Sequence, residues 1–328
     1  MTTTRTPRAR LTAAAVTAAV CALALTACGS GSSGSDAGAA DGAAKERTVT
    51  DATGAKVTVP GTPKKVVVLS EMDLDSALAL GVTPVGLTAG RGQTGAPAYL
   101  AAKAKGIPLV GAVTGPDLEK VVAAEPDVIL AGQIADSQVL KQLKAIAPTV
   151  VTIDGTKSWK KALTVTGDVL DKPAAAKAFL ASYDQRVAAV RTAIGSRAGS
   201  TVSVARYSPK GTAVMQQGVF ISDVLKDLAF QRPGLQSRQG EGHSTPLSAE
   251  DIGQLDADWL FIGTLTSTGQ SAGGTGLVAK LSADPAFKDL GAIKAGHATE
   301  IDGSQWTSLG GATAAMNVLD DIERAMKA

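Results

Sequence analysis

Residues 158–194 set the architecture of this chain, because they interrupt an otherwise regular alternation of short apolar runs and helical patterns. Two long helical patterns, Trp159–Leu170 and Ala174–Ile194, follow one another there, with Pro173 at the start of the second. Proline suits a first helical turn, whose N–H groups have no intrahelical acceptor. No strand signal intervenes over about 40 residues. Before this break, Val66–Leu69, Pro84–Leu87, Pro108–Val110, Asp127–Leu130 and Thr149–Ile153 read as strands. Helical patterns over Asp73–Leu80, Ala96–Lys105, Asp117–Ala124 and Ser137–Ile146 separate them. A continuous run such as Val66-Val67-Val68-Leu69 marks a strand covered on both faces. After the break the alternation resumes with Val202–Ala205, Ala213–Met215, a helix over Ile221–Leu228 and the strand Trp259–Ile262. A helix near Gly276–Leu281, the strand Ala298–Ile301 and a final helix over Gly311–Met326 complete it. Strands joined through helices run parallel, so two α/β lobes with mainly parallel sheets, linked by one long helix, are expected. One helix between lobes leaves little freedom to hinge, which predicts a modest closing motion.

The N-terminal part is of another kind. Arg5, Arg8 and Arg10 precede an alanine- and leucine-rich run over Leu11–Ala27, too short and too weakly apolar for a comfortable membrane span. Leu25-Thr26-Ala27-Cys28 and the following Gly29-Ser30-Gly31-Ser32 resemble the lipobox of bacterial lipoproteins. The resemblance implies diacylglycerol on the Cys28 thiol, and two acyl chains anchor stably where one is marginal. Residues 1–27 are thus expected to be a lipoprotein signal peptide and 28–46 a flexible tether. The tether holds no apolar residue larger than alanine. Folded chain then starts with Thr48–Asp51 and Lys56–Val59, which alternate like a hairpin. The expected divisions are an N-terminal α/β lobe over 47–157, a helical linker over 158–198 that includes the long helix, and a C-terminal α/β lobe over 199–328.

Cysteine and charge exclude several classes. Only Cys21 and Cys28 occur, both at or before the lipobox, so the exported domain has no disulfide and must be held by its core. The formal charge of the chain is +2, of which the leader arginines supply three positive charges, leaving −1 beyond them. No basic tract follows the leader, which excludes a nucleic-acid surface. His243 and His297 are the only histidines, too few and too far apart for a transition-metal site without carboxylates.

Two motifs imitate catalytic ones. Gly90-Arg91-Gly92-Gln93-Thr94-Gly95 matches the GxGxxG dinucleotide pattern, but after the second strand of its lobe rather than the first. A glycine-rich loop lining a cleft is the preferred reading. Gly269-Gln270-Ser271-Ala272-Gly273 matches a GxSxG nucleophile elbow, with Asp284 and His297 in hydrolase order. The elbow needs a tight turn directly between strand and helix, whereas Ser271 sits inside a Gly/Ser/Thr-rich stretch several residues past its strand. An exported serine hydrolase using Ser271 remains the rival outside the binding-protein class.

From about residue 48 onward an ordered set of segments resembles the periplasmic binding proteins of the iron–siderophore and vitamin B12 uptake group. It comprises Val66–Leu69, Ala79-Leu80-Gly81-Val82-Thr83-Pro84-Val85-Gly86, Asp117-Leu118-Glu119, Glu125-Pro126-Asp127-Val128-Ile129 and Ile146-Ala147-Pro148-Thr149-Val150. Leu247-Ser248-Ala249-Glu250, Asp256-Ala257-Asp258-Trp259-Leu260 and Trp306 before Gly310-Gly311 extend it. The resemblance implies two Rossmann-like lobes joined by one long helix and a receptor, not an enzyme, that delivers a ferric siderophore to an ABC permease. It implies no cofactor, since iron arrives already wrapped in oxygen donors, and a monomer on the extracytoplasmic face of the cell membrane. A haem or corrinoid cargo is the alternative within the class, with Tyr207 or His243 as axial-ligand candidates.

Open α/β sheets bind ligands at the carboxyl ends of their strands, and an oxygen-rich chelate calls for guanidinium groups and aromatic walls. Arg206 and Tyr207 end one strand, with Arg206 where the family often places a ligand-contacting arginine. Trp306, in a loop past another strand, is expected as a cleft wall, and His243 lies where some hydroxamate-binding relatives carry an aromatic. Arg91 and Arg238 are further cationic loop residues; Arg91 stands in for an arginine that enteric hydroxamate binders carry before the position of Asp117. Trp159 and Trp259 are expected in the core. By the resemblance, Glu119 and Glu250, one per lobe, meet arginines of the permease; both also stand near helix starts, where acids are favoured by the dipole.

Overall fold

The computed structural model describes residues 45–208, 211–240, 242–265 and 276–327. The leader, Cys28, the tether up to residue 44 and the stretch containing Ser271 lie outside the described residues. The first two strands, β1 (Glu46–Thr50) and β2 (Lys56–Pro60), form the expected antiparallel hairpin, with Val49 opposite Val57. Asp51 holds the turn by accepting from the backbone N–H groups of Thr53 and Ala55. Arg47 ties the hairpin to the end of a later helix through the carbonyls of Asp168 and Val169.

The alternation then unfolds as β3 (Val66–Val68), α1 (Glu71–Ala79), β4 (Gly86–Ala89), β5 (Leu109–Ala112), β6 (Gly115–Pro116), α2 (Leu118–Ala123), β7 (Val128–Leu130), α3 (Ser137–Ile146) and β8 (Thr149–Val150). These six strands make one sheet in the order β6-β5-β4-β3-β7-β8, parallel except for the small β6. β3 and β7 are buried throughout, as continuous apolar runs require. Local chemistry fixes the helix starts. Ser70 accepts from the Asp73 N–H at the start of α1, and Asp136 accepts from Gln138 and Val139 at the start of α3. The helix expected over Ala96–Lys105 is only a 3-10 turn at Ala98–Leu100. Between Pro97 and Gly106 only Leu100 and Ala104 are buried, too little packing to offset the cost of helix nucleation.

Two helices, α4 (Trp159–Val169) and α5 (Pro173–Ile194), fill the strandless stretch. Trp159 is fully buried edge-on against Tyr183 of α5, ring centroids 4.8 Å apart, so it is core as expected. Beyond them come β9 (Val202–Ser208), β10 (Gly211–Val214), α6 (Phe220–Asp227), β11 (Thr245–Leu247), β12 (Trp259–Thr264), α7 (Leu277–Ser282), α8 (Gly291–Lys294), β13 (Ala298–Asp302), α9 (Gly303–Trp306) and α10 (Ala312–Met326). The second sheet has the order β11-β10-β9-β12-β13. It is mixed rather than mainly parallel: β9, β12 and β13 run parallel, but β10 pairs antiparallel with both β9 and β11. Ser208 stands opposite Gly211, so β9 and β10 follow each other too closely for a crossover helix.

A single apolar cluster runs from Met72 of α1 and Leu80 just past its end through Trp159 and Tyr183 to Val204, Phe261 and Leu319. α1 packs on α4 and α10, and α5 on α4 and α10. Helices α1 and α4 of the first half thus share a core with the second sheet, whereas the first sheet packs into clusters of its own around Val66, Val68 and Leu130 and around Val67 and Ile129.

Candidate functional site

The site begins at the carboxyl ends of β3 and β4. Glu71, the first residue of α1, is buried, and its Oε1 accepts from the Arg91 backbone N–H at 2.5 Å. Its Oε2 accepts from the Ser308 hydroxyl at 2.5 Å and the Leu309 N–H at 3.2 Å, in the segment between α9 and α10. One carboxylate thus fastens the loop after β4 to the second half of the chain. Gly90 leaves this approach open, since a Cβ there would lie 2.6 Å from Gln93 Oε1 and 2.8 Å from Glu71 Oε1 and both side chains would have to shift. The GxGxxG segment closes on itself, the Gly90 N–H donating to the Gly95 carbonyl at 2.9 Å, and only a 3-10 turn follows it. There is no helix N-terminus here to receive a pyrophosphate, so the loop presents Arg91 instead.

From the second sheet, Arg206 projects near the end of β9, half-buried, with Nη2 donating to the Ser244 hydroxyl at 2.8 Å. Burial, then the nearby charge of Arg91, lowers its guanidinium below the usual value, though an arginine stays charged in proteins. His243, one residue before Ser244, places Nε2 at 2.6 Å from the Thr307 carbonyl. A carbonyl only accepts, so Nε2 carries the proton and Nδ1 is left as an acceptor. Burial pushes this imidazole down to about 4; the Thr307 bond opposes that, and the charges of Arg206, Arg91 and Lys157 add to it. His243 is therefore neutral at neutral pH. Hydrogen bonds link the three across both halves of the chain: His243 meets the Thr307 carbonyl, Glu71 joins the Arg91 N–H to Ser308 and Leu309, and Arg206 donates to Ser244 beside His243.

Other expected site residues lie elsewhere. Trp306 has no accessible surface; its ring stacks on Phe261 at 4.7 Å and its Nε1 donates to Asp321 at 2.9 Å. It is a packing plug, not a cleft wall, because it ends α9 and is held between Phe261 of β12 and Asp321 of α10. It acts one step removed, by anchoring the residues that hold His243 and Glu71. Tyr207 does not accompany Arg206, since successive strand residues point to opposite faces. It lies edge-on to Phe287 with Lys280 over its ring, away from the side that carries Arg206. Arg238 is exposed, and its carbonyl accepts from the Gln217 N–H. Glu119 and Glu250 are both exposed in the first turns of α2 and of the 3-10 helix Ala249–Leu255. Trp259 is core, stacked on His297 at 4.2 Å. Among the described residues, no group of three or more His, Cys, Asp or Glu side chains is placed to hold a metal ion.

Two contributors escaped the sequence reading. Lys157 follows β8 in a left-handed conformation (φ 52°), and its N–H donates to the Asp154 carbonyl at 3.0 Å. Asp154-Gly155 directly past the expected strand end was the available signal. Glu71 was the other, the first of three acids, with Asp73 and Asp75, that α1 buries.

The periplasmic binding protein family matches residues 66–304. The chain belongs to that family. Its members are binding proteins rather than enzymes, which sets aside the hydrolase reading of Ser271. The chain is 32% identical over 286 residues to the probable siderophore-binding lipoprotein YfiY of Bacillus subtilis, covering 85% of this chain and 87% of that one. It is 31% identical over 267 residues to the achromobactin-binding periplasmic protein of Dickeya dadantii, covering 80% and 86%. The crystal structure of Staphylococcus aureus SirA complexed with staphyloferrin B superposes with a TM-score of 0.72 at 27% identity, over 85% of this chain and 98% of SirA. Two lobes linked by a long helix are the architecture shared with such structures. No described helix is long and apolar enough to cross a membrane.

Proposed function

We propose that this chain is an extracytoplasmic receptor, lipid-anchored at Cys28, that holds a ferric siderophore between its two lobes and delivers it as a monomer to an ABC permease. The observation that carries the reading is the convergence of Arg91, Arg206 and neutral His243 from the two sheets, with none of the three in an ion pair among the described residues. Guanidinium donors suit the oxygen shell of a ferric chelate, beside the apolar faces of a neutral imidazole, and the protein supplies no ligand to iron. The relatives named for siderophore or achromobactin binding support the same cargo. A tether over 28–46 keeps the receptor beside its permease at high effective concentration. Titration of intrinsic fluorescence with ferric hydroxamates, ferric catecholates, ferric citrate, haem and cobalamin tests the cargo. Saturable quenching by a ferric chelate is expected, and quenching by haem or cobalamin alone would overturn it.

Glu119 and Glu250 are proposed as the permease contacts, one exposed acid at a helix start on each half. Replacing both with alanine is expected to abolish uptake in cells while the purified protein keeps its ligand affinity. A parallel loss of affinity would remove the docking role.

A further inference from the structure

A chain of hydrogen bonds runs from the Arg91 loop of the first half to His243 of the second, and one buried carboxylate joins its two ends. The Arg91 N–H donates to Glu71 Oε1 at 2.5 Å, and the Ser308 hydroxyl and Leu309 N–H donate to Oε2 at 2.5 and 3.2 Å. The carbonyl of Thr307, next to Ser308, accepts from His243 Nε2 at 2.6 Å. Each end is fixed to its own half. The loop after β4 is closed by the bonds from the Gly90 N–H to the Gly95 carbonyl and from the Gln93 N–H to the Gly90 carbonyl, both 2.9 Å. It therefore follows Glu71 as a unit. On the other side, the Thr307 hydroxyl donates to the Gly303 carbonyl at 2.8 Å. Gly310, in a left-handed conformation (φ 62°), keeps this segment against α6, because a Cβ there would lie 2.3 Å from the Phe220 ring.

The chemistry of the joint is specific to a carboxylate. Glu71 is 1% exposed, so it binds the two halves to each other and not the ligand. An ionised carboxylate only accepts, and it can take donors from both sides at once. Such charge-assisted bonds are short and strong, so the joint holds without a ligand. A glutamine of the same shape cannot replace it. With its oxygen toward Arg91, its amide NH2 group faces Ser308 and Leu309, where the hydroxyl can turn to accept but the Leu309 N–H loses its acceptor. In the reverse orientation the Arg91 N–H loses its acceptor.

We propose that Glu71 is a positioning residue of the cleft, setting the spacing between the Arg91 loop and the segment that holds His243 before any ligand arrives. The proposal rests on the reading of the cleft as the ligand site. Without the joint the two sides move independently, and only the fraction of molecules with the right spacing accepts a ligand. Apparent affinity then falls by that fraction, through slower association. Loss of a direct ligand contact acts mostly by faster release. Stopped-flow fluorescence on the full mature chain tests this with ferrichrome, ferric enterobactin and ferric dicitrate as probes. For a chelate that binds the parent, Glu71→Gln is expected to slow association about tenfold and leave dissociation unchanged. Ser308→Ala, in the other half, is expected to act in the same way but about threefold, which keeps the test open if Glu71→Gln does not fold. The double variant is expected to be no slower than Glu71→Gln alone, because both substitutions break one link. Unchanged association in the folded variants, or a loss expressed as faster dissociation, overturns the positioning role and leaves the receptor reading standing. Additive losses in the double variant overturn it equally. Failure of all three chelates to bind the parent sinks the receptor reading, and this proposal with it.

Discussion

Arg206→Ala is expected to weaken ferric-chelate binding roughly a hundredfold, the consequence of losing a charged donor from a partly desolvated site. The same substitution should leave the melting temperature of the empty protein unchanged or slightly higher. Both expectations come from one geometry. Arg206 is half-buried, its single bond among the described residues is to the Ser244 hydroxyl, and burial, then the charge of Arg91, disfavours its charged form. It therefore contributes little to the empty state and attraction once a ligand brings oxygen acceptors. A structural arginine behaves in the opposite way, as Arg186 illustrates by bridging Asp320 and Glu323 on α10. Arg206→Lys should recover only part of the affinity, because an ammonium cannot present the planar fork of donors. Calorimetric titration paired with thermal melts without ligand separates the roles. Unchanged affinity places the site elsewhere, and lost affinity together with a lowered melting temperature makes Arg206 structural.

Why some of this was legible in the sequence and some was not follows from the range of the interactions involved. The strands Val66–Val68 and Val128–Leu130, the helix Ser137–Ile146 and the strandless stretch from Trp159 to Ile194 are written in local patterns: apolar runs, an aspartate cap, a proline at a helix start. Arg206 and Arg91 were readable because strand ends are readable, and binding in open α/β sheets occurs there. Trp306 was misread because nothing local tells a tryptophan that walls a cleft from one capped by a helix that begins six residues later. Tyr207 was misread through neglect of strand alternation, which sends it to the Phe287 side while Arg206 stays with Val204. Glu71 was invisible as a site residue, since its partner Ser308 lies 237 residues away.

Asp75 is the extreme case of that last kind, and Asp75→Ala is expected to destabilise the protein by about 3 kcal/mol near neutral pH. The final helix, α10, starts at Gly311 with no side-chain cap of its own. Its cap is Asp75 of α1, whose oxygens accept from the Thr313 N–H at 2.7 Å and the Ala314 N–H at 3.0 Å. Asp75 also accepts from the Tyr99 hydroxyl at 2.9 Å, and the carboxylate is fully out of solvent. Alanine leaves two backbone donors and a phenol unpaired in a buried place, a loss of about 1–2 kcal/mol for the cap and a similar amount for the hydroxyl. Gly311 keeps the approach open, because a Cβ there would come within 2.6 Å of the Asp75 side chain. Desolvation raises the Asp75 pKa, and the hydrogen bonds from Thr313, Ala314 and Tyr99 only partly oppose it. A carboxyl whose folded pKa exceeds its unfolded value stabilises most below the unfolded value, and loses that contribution as pH rises through the folded one. The deficit of Asp75→Ala relative to the parent should accordingly grow as pH falls from 7 toward 4. Urea unfolding at several pH values measures it, with Tyr99→Phe, expected to cost about 1 kcal/mol, as the partial variant. Because Asp75 joins a helix of the first half to one of the second, its loss should also loosen the seam beside Glu71 and Ser308 and slow the return of a closed, ligand-bound form. A deficit below about 1 kcal/mol, or one that shrinks toward acid pH, would show that α10 does not depend on the α1 carboxylate.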